Sequence, residues 1–240
     1  MTQHWTWPEL HTALRLISQS EHTLPPDLLD QLLDQAPQQA PPRYNLCPSE
    51  NALVLRADAG RMLASPVRWG IPRPGPDSRS ALVGNARSET VDRLPMFRDA
   101  FAHARCLVPA SGFYEWQATG DRQKQPWYFT PADAPMCFFA GIIADSGEGQ
   151  AFATITAPTP EACRTNIHPR MPSVILPEHA GAWLGLAPAP SLAPLSCLRT
   201  FGSDHAIPSQ AHPVSKRVNR TTNDDATLTA PIEPEPGLFG

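Results

Sequence analysis

The sequence offers no membrane anchor, no disulfide framework and no metal-binding spacing. No uninterrupted apolar run in its 240 residues approaches the ~18 residues that a membrane span requires. The start, MTQHWTWPEL, has no basic region, no apolar run and no small-residue cleavage site, so it does not read as a targeting signal. The five cysteines, Cys47, Cys106, Cys137, Cys163 and Cys197, are odd in number, widely scattered and never spaced C-x-x-C. That pattern argues against a disulfide framework or a zinc site and favours a reducing, cytoplasmic compartment. No cofactor and no metal is expected.

Charge is scarce overall but unevenly placed. The net charge is −4, made of −4 over residues 1–42, +4 over 43–130 and −4 over 131–240. Eleven of the twelve central cations are arginine, whose planar fork suits phosphate. A basic middle between acidic ends excludes a general DNA binder yet leaves room for a local anionic ligand.

Proline is abundant instead, with 29 residues spread along the whole chain. Such punctuation breaks long helices and favours short strands and loops. Short helices are expected over 8–19 and 26–35, then strands over 52–57, 62–70, 105–116, 126–131, 136–144 and 151–157, which are rich in β-branched and aromatic residues. Residues 118–126 read as a hairpin loop. Helix starts fall at Thr159 and Pro177, and the tail beyond 224 is expected to be loosely held. The expected architecture is α+β: one domain over 1–224 with an antiparallel, barrel-like β core and peripheral short helices.

Four segments set polar residues among apolar ones: PPRYNLCPSE (41–50), GNARSET (84–90), VPASGFYEW (108–116) and NIHPRMPSVIL (166–176). An acid between aromatics, Glu115, is placed to have its pKa raised by desolvation, which suits general acid/base work. His168 close to Arg170 joins a proton carrier to an anion anchor.

In this order the segments resemble the SRAP family (SOS response-associated peptidase). The likeness lies in Arg43-Tyr44-Asn45, Asn85-Ala86-Arg87-Ser88-Glu89-Thr90, Gly112-Phe113-Tyr114-Glu115-Trp116, His168-Pro169-Arg170-Met171-Pro172 and Val214-Ser215-Lys216-Arg217-Val218-Asn219. The family couples covalently to abasic sites in single-stranded DNA through an N-terminal cysteine, unmasked when methionine is removed. Its amine forms an imine with the opened sugar and its thiol closes a thiazolidine. The resemblance implies that Asn85 orients the amine, and that Glu115 serves as general acid/base and in autolytic removal of Met1. It further implies that His168 assists sugar opening, that Arg43, Asn45, Arg87 and Arg170 bind DNA, and that Trp69 stacks or wedges against a base. It implies single-stranded DNA as partner, no membrane, and a monomer.

The start departs from the family's M-C-G-R-F, for Thr2 falls where the cysteine is expected. An α-amine titrates near 8 and so remains a usable nucleophile, but a hydroxyl closes only a labile oxazolidine. The expectation is therefore a reversible imine at Thr2, with β-elimination as a further outcome. Cys47, where the family has a small residue, is a candidate surrogate thiol. The alternatives are a relative, for example a prophage-borne copy, that only binds damaged DNA, and a peptidase with an N-terminal threonine nucleophile.

Overall fold

The computed structural model describes residues 1–3, 9–10, 12–13, 41–73, 81–119, 124–160, 167–186, 193–201 and 209–233. Five long strands form its centre: β1 (Asn51–Asp58), β2 (Arg61–Trp69), β6 (Arg105–Ala110), β9 (Cys137–Asp145) and β10 (Gln150–Pro158). Each pairs with two of the others, β10–β2–β1–β6–β9–β10, which closes a ring. Ile71–Pro72 (β3) and Leu82–Val83 (β4) form a separate ribbon, while Asn85–Arg87 (β5) and Arg170–Pro172 (β11) lie along β10. Phe113–Ala118 (β7), Lys124–Pro131 (β8) and Ser209–Pro213 (β14) make a three-stranded sheet, and Val174–Ile175 (β12) and Leu198–Arg199 (β13) extend the ring beyond β9. Among the described residues, which also include helical positions 9–10 and 12–13, the helices with described bounds are short: α1 (Arg98–His103), α2 (Ala180–Leu184) and α3 (Pro194–Cys197).

The barrel-like core with peripheral helices is the architecture expected, with one difference. β10 runs parallel to both β2 and β5. Alternation along a strand reports which face is buried, not which direction its neighbour runs, so these pairings left no mark in the sequence.

β9 reads CFFAGIIAD, almost continuously apolar, because both of its faces are covered. Phe138, Ala140 and Ile142 enter one core cluster, whereas Cys137, Phe139 and Ile143 enter another. β10 is sorted in the same way. Ala151, Ala153 and Ile155 join the first cluster, while Phe152, Thr154 and Thr156 alternate onto the other face. Two threonines in an otherwise apolar buried strand mark where that face stops being core.

The 105–116 stretch divides at Ser111-Gly112 into β6 and β7. Gly112 is required by close packing: a Cβ there would lie 2.3 Å from the carbonyl oxygen of Phe129 and 2.6 Å from the Tyr128 hydroxyl. The expected helices over 8–19, 26–35 and from 159 fall largely outside the described residues. The tail differs from expectation, since residues 225–233 are anchored. Leu228 is fully buried, and the Ile232 N–H donates to the Pro213 carbonyl. Leu228 and Ile232 are the only large apolar side chains of 225–233, too sparse to reveal that anchor.

Candidate active site

A cavity of about 320 Å³ opens where β5, β7, β10 and the 45–48 segment meet the start of the chain. Met1, Cys47, Asn85, Glu115 and His168 all line it. Four of the five sequence motifs thus converge, and the physical reasons are local.

The first three residues are sewn into the fold as an extended segment. Met1 and Leu46 exchange backbone hydrogen bonds in both directions, each 3.0 Å. The Thr2 N–H donates to the Gly112 carbonyl, and Gln3 pairs with Arg43. Alternation along this segment decides which groups reach the cavity. Met1 lines the cavity, and burial pulls the pKa of its α-amine, which donates to the Leu46 carbonyl, from the ordinary 8 down to about 6. Thr2 points the other way: it is fully buried, with its hydroxyl 3.0 Å from that of Tyr128 and 3.2 Å from the Gly112 carbonyl. The Thr2 hydroxyl, expected to close a labile oxazolidine on an imine formed at the Thr2 amine, is not among the groups that line the cavity.

Glu115 sits on β7, on the same face as Phe113. Burial pushes its carboxyl up to about 7, against the opposing pull of His168 and the amine. The His168 Nδ1 is 3.5 Å from the Glu115 carboxylate and 2.8 Å from the Arg170 carbonyl. Asn85 and Arg87, both exposed, flank the buried Ala86 of β5, so they share a face. Their register places Asn85 beside Thr154 and Arg87 beside Thr156. The Thr154 hydroxyl lies 2.7 Å from the Asn85 amide oxygen, which fixes the amide's orientation.

Cys47 also lines the cavity, half-buried, with Sγ 3.4 Å from the Asn45 carbonyl. Burial raises the pKa of its thiol, while the nearby amine draws it down.

The other expected DNA-binding residues have internal duties. Asn45 is buried, and its amide donates to the carbonyls of Val218, Arg220 and Asn223 at 3.0–3.2 Å. It thereby ties the first motif to the last. Arg43 pairs with Glu50 and Asp224. Arg170 makes a bidentate pair with Glu89 at 2.7 and 2.8 Å and also donates to Thr156. That pair holds the Glu89 carboxyl at about 2. Trp69 is 9% exposed, stacks on Phe152 and donates its indole N–H to the Gly84 carbonyl. It is a wall of the cavity, not a protruding wedge. Arg87 alone of these residues is exposed, and its side chain makes no hydrogen bond or ion pair with the described residues.

Several participants were not singled out from sequence. Trp116 lines the cavity half-buried, its indole N–H held 2.8 Å from the Asn219 side chain. Thr154 and Asp224 position Asn85 and Arg43 respectively. The two threonines at i and i+2 of β10 were a readable signal; the Asp224 contact, spanning most of the chain, was not. Among the described residues, no three His, Cys, Asp or Glu side chains group to hold a metal ion, and no helix is long and apolar enough to cross a membrane.

This geometry can be set beside known proteins. A family profile described as SOS response associated peptidase (SRAP) matches residues 15–221.

The chain belongs to the SRAP family.

Among its relatives in this family are two abasic site processing proteins. YedK of Escherichia coli is 32% identical over 194 residues, covering 79% of this chain and 85% of its own length. YoaM of Bacillus subtilis is 29% identical over 195 residues, covering 78% and 84%. The solved structure of a Bacteroides thetaiotaomicron protein superposes with a TM-score of 0.67 at 23% identity, covering 96% of this chain and 99% of that one. A phage-related protein of Bordetella bronchiseptica gives 0.58 at 28%, covering 81% and 92%. The matched SRAP region begins after residue 14, so the placement of the first three residues rests on the structure alone.

Proposed function

We propose that this SRAP protein captures abasic sites in single-stranded DNA, condensing the aldehyde of the opened sugar with the α-amine presented in the cavity. The observation that carries the reading is one pairing: an amine pulled down to about 6 and a carboxyl pushed up to about 7 line the same 320 Å³ space. At neutral pH the amine is largely unprotonated, so its lone pair is available, and Glu115 is about half protonated.

The steps follow from these states. The amine attacks the sugar C1 aldehyde to give a carbinolamine. Glu115 passes its proton to the departing hydroxyl, water leaves, and an imine remains. His168, beside Glu115, is placed to move the proton that opens the sugar hemiacetal. Asn85 offers its amide to the carbinolamine, and the exposed Arg87 on the same strand face supplies a cation for a flanking phosphate. The names of the relatives, abasic site processing proteins, support the substrate class.

Glu115 also stands where it can assist hydrolysis of the Met1–Thr2 bond, in keeping with the peptidase of the family's description. Trimming moves the amine back to the Thr2 nitrogen, now 3.0 Å from the Gly112 carbonyl. Intact mass reports which amine the purified chain carries.

Borohydride trapping on single-stranded DNA with one abasic site tests the proposal. A trapped adduct that maps to the first residue is expected, and Glu115→Gln slows its formation. Absence of any trapped adduct defeats amine capture and leaves a protein that only binds DNA.

A further inference from the structure

The cavity holds a thiol as well as an amine. Cys47 follows directly on Leu46, the residue that exchanges both backbone hydrogen bonds with Met1. Residues paired in this way have Cα atoms about 5.5 Å apart, and the next Cα is about 3.8 Å further on. Cys47 therefore stands next to the partner of the first residue, and both residues line the same cavity.

Its position is also fixed. Sγ lies 3.4 Å from the Asn45 carbonyl and 3.8 Å from the Asn45 amide oxygen, and Asn45 is itself pinned by three carbonyls. The other described free cysteines, Cys106, Cys137 and Cys197, are buried in the core clusters. Cys47 is the described cysteine that faces the cavity.

We propose that Cys47 is a second nucleophile of this site, its sulfur adding to the imine carbon to join residue 1 and residue 47 through one sugar carbon. The proposal rests on the amine-capture reading above. The step balances without oxidant or reductant. The S–H bond breaks and a C–S bond forms at the former aldehyde carbon. The C=N π pair moves to nitrogen, which takes the thiol proton. The product is an N,S-acetal, the linkage that a thiazolidine contains, here closed between two chain segments. Closure loses little freedom, since the ladder already holds both partners. Without such a second nucleophile the adduct stops at the imine, because the Thr2 hydroxyl is engaged with Tyr128 on the far side.

The test compares the full chain with Cys47→Ala and Cys47→Ser, each incubated with a single-stranded oligonucleotide carrying one abasic site. Adducts are resolved after heating in denaturant, with and without borohydride. The wild type is expected to give a heat-stable adduct without reductant, and both variants to lose it by about tenfold or more. Borohydride-trapped adduct stays within about twofold in all three, showing that fold and amine are intact. Trypsin and nuclease digestion of the wild-type adduct should yield the N-terminal peptide ending at Arg15, with or without Met1 as intact mass shows, joined to peptide 44–56. A reductant-free adduct undiminished in Cys47→Ala, or absent from the wild type, overturns the thiol's role. Failure of borohydride trapping in all three instead removes the amine-capture reading and the thiol's role with it.

Discussion

Amine and carboxyl pKa values that approach each other dictate a pH profile with a definite shape. Imine formation needs the amine free and Glu115 protonated. With values of about 6 and about 7, the product of the two fractions peaks near pH ~6.5 at about 0.6. It falls to about 0.03 at either pH ~4.5 or pH ~8.5, a loss of about twentyfold on each side. Were both groups at their ordinary values, near 8 and 4.5, the product would peak at about 0.0003, some two-thousandfold lower. Burial in this cavity is therefore asked to supply about three orders of magnitude. The assay is the initial rate of borohydride trapping across this pH range, with free abasic oligonucleotide reacted with glycine amide as the ordinary-amine reference. Glu115→Gln removes the proton donor, so the alkaline limb disappears and a slower plateau remains above the amine's midpoint. A wild-type rate that keeps rising through pH ~8, as the reference does, refutes the reasoning.

The remaining predictions concern the supporting structure. Glu115 has its pKa raised in the fold, so its favourable contribution is complete below about 4.5 and is lost as pH rises through about 7. Glu115→Gln should therefore stabilise the protein at pH 8 by roughly 2–3 kcal/mol in urea unfolding, with the gain disappearing near pH 4. Asn45→Ala removes the amide donated to three carbonyls and should cost about 2 kcal/mol in the same experiment. Gly112→Ala forces a Cβ to 2.3 Å from the Phe129 carbonyl and should cost about 3 kcal/mol or prevent folding. For single-stranded DNA binding, Arg87→Ala should lower the slope of log affinity against log salt by about 0.7, while Arg170→Ala, which breaks the pair with Glu89, leaves the slope unchanged.

The central strands were legible because a strand covered on both faces must be apolar throughout, as β9 is. The convergence of Asn85, Glu115 and His168 was legible only through the family's motifs, for no local pattern says that β5 runs beside β10. The roles of Arg43, Asn45 and Arg170 were less accessible for a physical reason. A cation or amide in a loop reads as a ligand donor until its partner is known, and Asp224 and Glu89 lie far away in sequence. Thr2 shows the same difficulty at shorter range. Its residue type permits nucleophilic chemistry, but alternation along an extended segment sent its side chain to Tyr128, while Met1 lines the cavity.

Peptide mapping of the borohydride-trapped complex, with intact mass taken on the same sample, tests the central claim most directly. The account predicts the sugar remnant on the α-nitrogen of the first residue. A remnant on a lysine side chain such as Lys124, or no remnant on a correctly folded chain, would contradict it.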